Sequence, residues 1–90
     1  MYEIIYTTRF RRSFKKCIKR GLNPADFEQA VRLLQASGKL PAEYRPHKLS
    51  GKYNGYWECH LQPDWLLIWL QDDHQLILQL IDTGTHADLF

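Results

Sequence analysis

From Tyr53 to Phe90 the chain has no lysine and no arginine. All twelve cationic side chains lie between Arg9 and Lys52, while six of the ten carboxylates fall after that point. That excludes an even grip on a polyanion along the chain and divides it into a basic half and an acidic half. Cysteine is also scarce. Cys17 and Cys59 are widely spaced and form no CxxC pair, so two buried free thiols are expected; a disulfide would need an oxidising compartment, for which nothing argues. The longest apolar run, Trp65 to Leu70, is far too short to cross a bilayer. Met1 to Tyr6 lacks the basic flank and long apolar stretch of a signal peptide. Repeats, linkers and low-complexity segments are missing. The expectation is one soluble cytoplasmic domain over residues 1–90, with room for one modest core and no membrane partner.

Histidine is what the acidic half has in its place. His60, His74 and His86 all lie there, and only His47 precedes them. Histidine's ordinary pKa is the closest of any side chain to neutrality, so this distribution assigns polyanion binding to one half and proton transfer to the other.

Hydrophobic spacing predicts β-α-α-β-β-β. Glu3 to Thr7 is β-branched and aromatic, a short first strand. Thr7 or Thr8 caps a helix whose apolar stripe is Phe10, Phe14, Cys17 and Ile18, ending at Gly21. Asn23-Pro24 opens a second helix with Phe27, Ala30, Val31 and Leu34 on its buried face, stopped by Gly38. Lys39 to Asn54 has little periodicity and is expected to be loop. Tyr56 to Leu61 alternates, Trp65 to Leu70 is apolar on both faces, and Leu76 to Ile81 alternates again. Gln62-Pro63-Asp64 and Asp72-Asp73-His74 supply the turns between them. The expected fold class is α+β, a helical hairpin packed on a mainly antiparallel four-stranded sheet.

His60 and Asp64 flank a tight turn and should lie near each other at one end of the sheet. A carboxylate beside an imidazole favours the imidazolium or fixes one tautomer, which suits acid–base work; the competing role for Asp64 is to bond the turn's own amides. His86 follows Thr83-Gly84-Thr85, where Gly84 allows the tail to bend back across the sheet end. His47 follows Tyr44-Arg45-Pro46 in the loop, and His74 sits at an exposed turn without a role. Trp65 and Phe90 are either platforms for stacking bases or, respectively, core and groove plug. On the first helix Arg11, Arg12, Lys15, Lys16, Lys19 and Arg20 exceed what solubility requires; neutralising RNA phosphates is the obvious use, and it entails strong salt dependence. His47, His60, Asp64 and His86 also offer a nitrogen–oxygen set for zinc, but no pair has the spacing of a short zinc motif. No cofactor is expected.

Three segments together carry a family resemblance: Tyr44-Arg45-Pro46-His47-Lys48-Leu49-Ser50-Gly51, Gly55-Tyr56-Trp57-Glu58-Cys59-His60-Leu61-Gln62-Pro63-Asp64-Trp65, and Thr83-Gly84-Thr85-His86-Ala87-Asp88-Leu89-Phe90. In this order they resemble the YafQ branch of the RelE/ParE toxins of bacterial type II toxin–antitoxin modules, over essentially the whole chain. The resemblance implies a microbial-ribonuclease-like fold and a ribosome-dependent endoribonuclease cutting messenger RNA in the decoding site. It also implies neutralisation by a cognate antitoxin and joint repression of the operon, so that operator DNA is met only through the antitoxin complex; the basic face Arg11, Arg12, Lys15, Lys16, Lys19 and Arg20 is then expected to dock on ribosomal RNA and, in the inhibited state, to face an acidic or amphipathic antitoxin segment. The family's catalytic positions fall on His47, His60, Asp64 and His86, and its aromatics on Trp65 and Phe90. Glu58 matches an acidic position of the site.

One position departs from the family. Asp82 stands where relatives commonly carry a basic residue, just before Thr83-Gly84-Thr85-His86. Charge developing on the phosphate would then be met by imidazolium groups, or by Arg45, Lys48 or Lys52 from the loop; Asp82 would also favour a protonated His86. The expected chemistry is metal-independent attack by the substrate's own 2′-hydroxyl, with a base among His60, His47 and Asp64 and with His86 as acid. Two rival classes stand beside it: a non-catalytic, protein-binding poison of the ParE kind, and a degenerate toxin kept as an antitoxin-binding module.

Overall fold

The computed structural model describes all of residues 1–90. Strand β1 (Glu3–Tyr6) leads into helices α1 (Thr8–Lys19) and α2 (Pro24–Ser37), followed by β2 (His47–Lys48), β3 (Trp57–Gln62), β4 (Trp65–Asp72), β5 (Ile77–Gly84) and a final short helix α3 (His86–Leu89). The sheet has five strands in the order β1-β5-β4-β3-β2. Only the β1–β5 pair is parallel. The expectation of four strands is thereby corrected: the loop after α2 contributes two residues that pair antiparallel with β3, His47 opposite Glu58 and Lys48 opposite Trp57. Single turns of 3₁₀ helix at Ala42–Tyr44 and Gly51–Tyr53 flank this strand. So short a strand has no alternation to detect in sequence.

Local signals set the helix ends. Thr7 Oγ1 accepts from the Phe10 amide at 3.1 Å and donates to the Leu80 carbonyl at 2.7 Å, fastening the start of α1 to β5. Asn23 caps α2 ahead of Pro24, and Gly38 closes it with a left-handed φ of 73°. The two helices meet through the rings of Phe10, Phe14 and Phe27, with centroids 4.8–5.6 Å apart. They cover one face of the sheet, burying Cys59, Leu61, Trp65, Leu67, Trp69, Leu78 and Leu80.

The opposite face carries a second, smaller cluster of Tyr53, Leu66, Ile68 and Leu89, with Leu49, Tyr56 and Ile81 packed against it. A single core is therefore not the whole account: β4 is central and buried on both sides, and its outer face is roofed by the 3₁₀ turn at Tyr53 and by α3. A bulge in β5 makes this possible. Ile68 pairs with Asp82 and Trp69 with Leu80, leaving Ile81 as an extra residue. Leu78 and Leu80 belong to the core under the helices; beyond the bulge Thr83 is the residue bonded to Trp65 there. An inserted residue shifts the alternation by one, so the strand runs on to Gly84 rather than ending at Ile81.

Candidate active site

Three imidazoles line up on the α3-bearing side of the sheet. The His47 and His60 ring centroids are 6.5 Å apart, and those of His60 and His86 are 5.8 Å apart. Each ring is held by a different element. His47 lies on β2, His60 on β3 opposite Leu66, and His86 opens α3, which Thr85 and Asp88 start with a reciprocal capping box.

Each imidazole has one nitrogen fixed by an oxygen. His60 Nδ1 lies 3.3 Å from the Pro63 carbonyl, and His47 Nδ1 lies 2.8 Å from the Arg45 carbonyl. A carbonyl only accepts, so both Nδ1 atoms carry the proton. The His60 Nε2 is left without a partner. His47 differs: its Nε2 stands 3.2 Å from Oε1 of Glu58, a carboxylate only 5 % exposed whose Oε2 is buried without any partner. Arg45 aims its carbonyl from a left-handed backbone, φ 50°, a conformation that costs a non-glycine residue roughly 1–2 kcal/mol.

Asp64 corrects the expected pairing. Its Oδ1 accepts from the His86 amide at 2.9 Å and from His86 Nδ1 at 2.7 Å, and it makes no bond to His60. The Pro63-Asp64 turn points the carboxylate across to α3 because the bulge at Leu61, between the His60–Leu66 and Gln62–Trp65 pairs, bends the end of β3. The two His86 hydrogen bonds hold the Asp64 carboxyl below the usual carboxylate range, backbone bond first. Asp64 therefore stays anionic and fixes both the position and the tautomer of His86.

The remaining candidates separate. Phe90 is 66 % exposed and meets Tyr53 edge-on at 5.7 Å, beside the histidines' face. Trp65 is fully buried, with its Nε1 donating to Thr83 Oγ1 at 2.8 Å; it belongs to the core and offers no stacking surface. Lys48 shares the helix-covered face with Trp57, over whose ring its Nζ sits at 5.7 Å, so it does not reach the histidines. Lys52 lies over the Tyr53 ring at 5.6 Å. Arg45 and His60 line a polar cavity of about 500 Å³ that also includes Asp26, Gln29 and Glu43.

On α1, Arg11, Arg12, Lys15, Lys16 and Lys19 are exposed, but Arg20 is engaged. It grips Asp88 through both terminal nitrogens, at 2.5 and 3.1 Å, and this with the Thr85 amide bond drives the Asp88 carboxyl far below its ordinary pKa. Asp82 is likewise committed elsewhere. Its Oδ2 receives Arg9 Nε at 3.0 Å and its Oδ1 the Thr83 amide at 2.9 Å, so the carboxylate that accompanies His86 is Asp64. No three histidine, cysteine or acidic side chains converge closely enough to hold a metal ion. Arg9, Asp88 and Tyr53 were missed in the sequence; the spacing Thr85-His86-Ala87-Asp88, a capping box, was the available signal for Asp88.

Comparison with known proteins gives the chain its relatives. The family model described as a bacterial toxin of the type II toxin–antitoxin system, YafQ, matches residues 2–90. The mRNA interferase toxin YafQ of Escherichia coli K12 is 35 % identical over 89 residues, covering 98 % of this chain and 95 % of that protein. Among solved structures, a chain of the E. coli DinJ–YafQ complex superposes with a TM-score of 0.89 at 34 % identity, over 100 % of this chain and 99 % of that one. A metal-bound toxin from Helicobacter pylori gives 0.90 at 30 % identity, over the whole of both chains.

Proposed function

The chain belongs to the YafQ family of type II toxin–antitoxin toxins, and from that premise we propose that it is a ribosome-dependent messenger RNA endoribonuclease silenced by a cognate antitoxin. The name mRNA interferase borne by the E. coli relative supports the reaction, and that relative's complex with DinJ supports the antitoxin partner. Joint binding of operator DNA by the toxin–antitoxin pair and residence in the cytoplasm complete the reading.

The observation that carries it is the pair of oppositely prepared imidazoles, His60 with a free Nε2 and His86 clamped on Asp64, 5.8 Å apart. His60 Nε2 takes the proton of the 2′-hydroxyl, and the 2′-oxygen forms a bond to the adjacent phosphorus. The bond from phosphorus to the 5′-oxygen breaks, and the imidazolium of His86 gives that oxygen its proton. The products are a 2′,3′-cyclic phosphate and a free 5′-hydroxyl. The Asp64 carboxylate stabilises the imidazolium while it waits. His47, held against Glu58, faces the charge that develops on the non-bridging oxygens, and Phe90 stacks on a base of the substrate.

Cleavage mapping on a translated message tests this. Cuts with 2′,3′-cyclic phosphate ends are expected with ribosomes and not without them, and chelation by EDTA should leave the rate unchanged. Toxicity without any cut would favour a protein-binding poison instead. Loss of activity with EDTA would transfer the reaction to metal chemistry, for which the H. pylori relative's metal-bound state is the precedent.

A further inference from the structure

One row of α1 has no part in the site described above. Arg9, Ser13, Lys16 and Arg20 recur at i, i+4, i+7 and i+11, and so share one stripe of the helix. Both ends of this row are fastened, Arg9 to Asp82 on β5 and Arg20 to Asp88 on α3. Between the two clasps lies a polar cleft of about 170 Å³, walled by Arg9, Ser13 and Lys16 on one side and by Asp82, Asp88 and Leu89 on the other.

We propose that this cleft binds a phosphodiester of the RNA substrate strand next to the one that is cut. Arg9 and Lys16 would supply the charge, and Ser13 Oγ a hydrogen bond. The proposal rests on the ribonuclease reading and adds a subsite to it.

Charge makes the case. Past Lys52 the chain has no lysine or arginine, so apart from the imidazoles already placed in the site β3, β4, β5 and α3 bring only carboxylates to an RNA strand crossing them. Lys48 faces away. Compensation must come from another element, and α1 is the one that borders β5 and α3. Both carboxylates in the cleft are already met by arginines, and Lys16 has no carboxylate partner, so the balance there is positive. Arg9 is held through Nε alone by a carboxylate 6 % exposed, while its own side chain is 69 % exposed. Its two terminal nitrogens make no hydrogen bond within the chain. Asp88 and Leu89 of the cleft belong to the same short helix as His86, so the cleft and the leaving-group acid flank one element.

The test is anisotropy titration of the full chain with a short single-stranded RNA methylated at every 2′-oxygen, across a range of salt. Each phosphate contact to a single strand contributes about 0.7 to the slope of log K against log salt. Lys16→Ala has no fold partner to strand and should lower the slope by about 0.7. Arg9→Gln combined with Asp82→Asn, which avoids leaving a buried carboxylate unpaired, should lower it by a similar amount. Arg32→Ala, an exposed cation on α2, is the charge-matched control. On programmed ribosomes Lys16→Ala should raise KM several-fold while preserving kcat. The proposal is overturned if Lys16→Ala matches Arg32→Ala, or if wild-type RNA binding has no salt slope. It is equally overturned if the loss appears only with vacant ribosomes, or only with purified antitoxin. Because the methylated RNA cannot be cut, this result stands apart from whether the chain is a ribonuclease.

Discussion

Asp64 Oδ1 holds His86 twice, by the backbone amide at 2.9 Å and by ring Nδ1 at 2.7 Å. One oxygen thus fixes both where α3 begins and which nitrogen of its first residue is left unbonded. Asp64→Asn keeps an acceptor in place but removes the negative charge. Single-turnover cleavage should fall about 10²-fold, the lower end of what a positioned acid contributes, with little change in thermal stability because Asp64 is exposed. His60→Ala and His86→Ala should each cost about 10²–10⁴-fold, again with the fold intact. Full activity in the His60/His86 double variant would refute the assignment.

Trp65 and Phe90 make opposite predictions although both are aromatic residues that close segments carrying the family resemblance. Trp65→Phe leaves a ring that could still stack, but removes the bond to Thr83 Oγ1. A lost buried hydrogen bond is worth about 1 kcal/mol, or roughly 4–8 °C in Tm for a domain of this size. RNA affinity measured well below that temperature should not move. Phe90→Ala should do the reverse: Tm nearly constant, affinity weakened by about 1–3 kcal/mol for one base stack. Thermal melts and RNA titrations of the two variants decide between core and platform.

How far the sequence carried depended on whether a feature was periodic. The stripes of α1 and α2 and the apolar run of β4 were legible because burial repeats at a fixed interval. The strand His47–Lys48 was not, being two residues long, and the end of β5 was lost at the Ile81 bulge, where alternation changes phase. The same limit governs the site. Sequence separation suggested His60 with Asp64, four residues apart, yet the carboxylate reaches His86, twenty-two residues on, because strand bulging and the capping box at Thr85 set its direction. Trp65 stood in a functional-looking segment, and only its burial shows that its indole serves packing. Asp82 looked like a defect in the site; with Arg9 attached to it, it is an anchor.

The Arg20–Asp88 clasp ties acid stability to the placement of α3. Arg20 first, then the Thr85 amide, depresses the Asp88 carboxyl well below its ordinary value. In the unfolded chain that group titrates near about 3.9. Its folded pKa being the lower one, the stability it confers is complete above the unfolded value and disappears as pH falls through the folded value. Asp88→Asn should therefore lower Tm at neutral pH and flatten the decline of Tm between about pH 4 and pH 2. Melting curves at several pH values, wild type against variant, measure this; parallel declines would show that the clasp contributes nothing.

Gly84 is the point where strand becomes site. A Cβ built there would come within 2.9 Å of both Cβ and Oδ2 of Asp88. Asp88 cannot swing away cheaply, since Arg20 and the Thr85 amide hold its carboxylate. Gly84→Ala must then displace the start of α3, and with it the His86–Asp64 pair, although Leu89 remains buried against the outer cluster. The expected result is a chain that still folds, with kcat down at least about tenfold, since small displacements of a catalytic group are costly. Gly21→Ala supplies the comparison. Gly21 has a left-handed φ of 96° but nothing within 4 Å of the added carbon, so it should cost about 1 kcal/mol of stability through the backbone alone and leave kcat unchanged. Equal loss of kcat in both variants would mean that α3 responds to global softening, and not to the contact between Gly84 and Asp88.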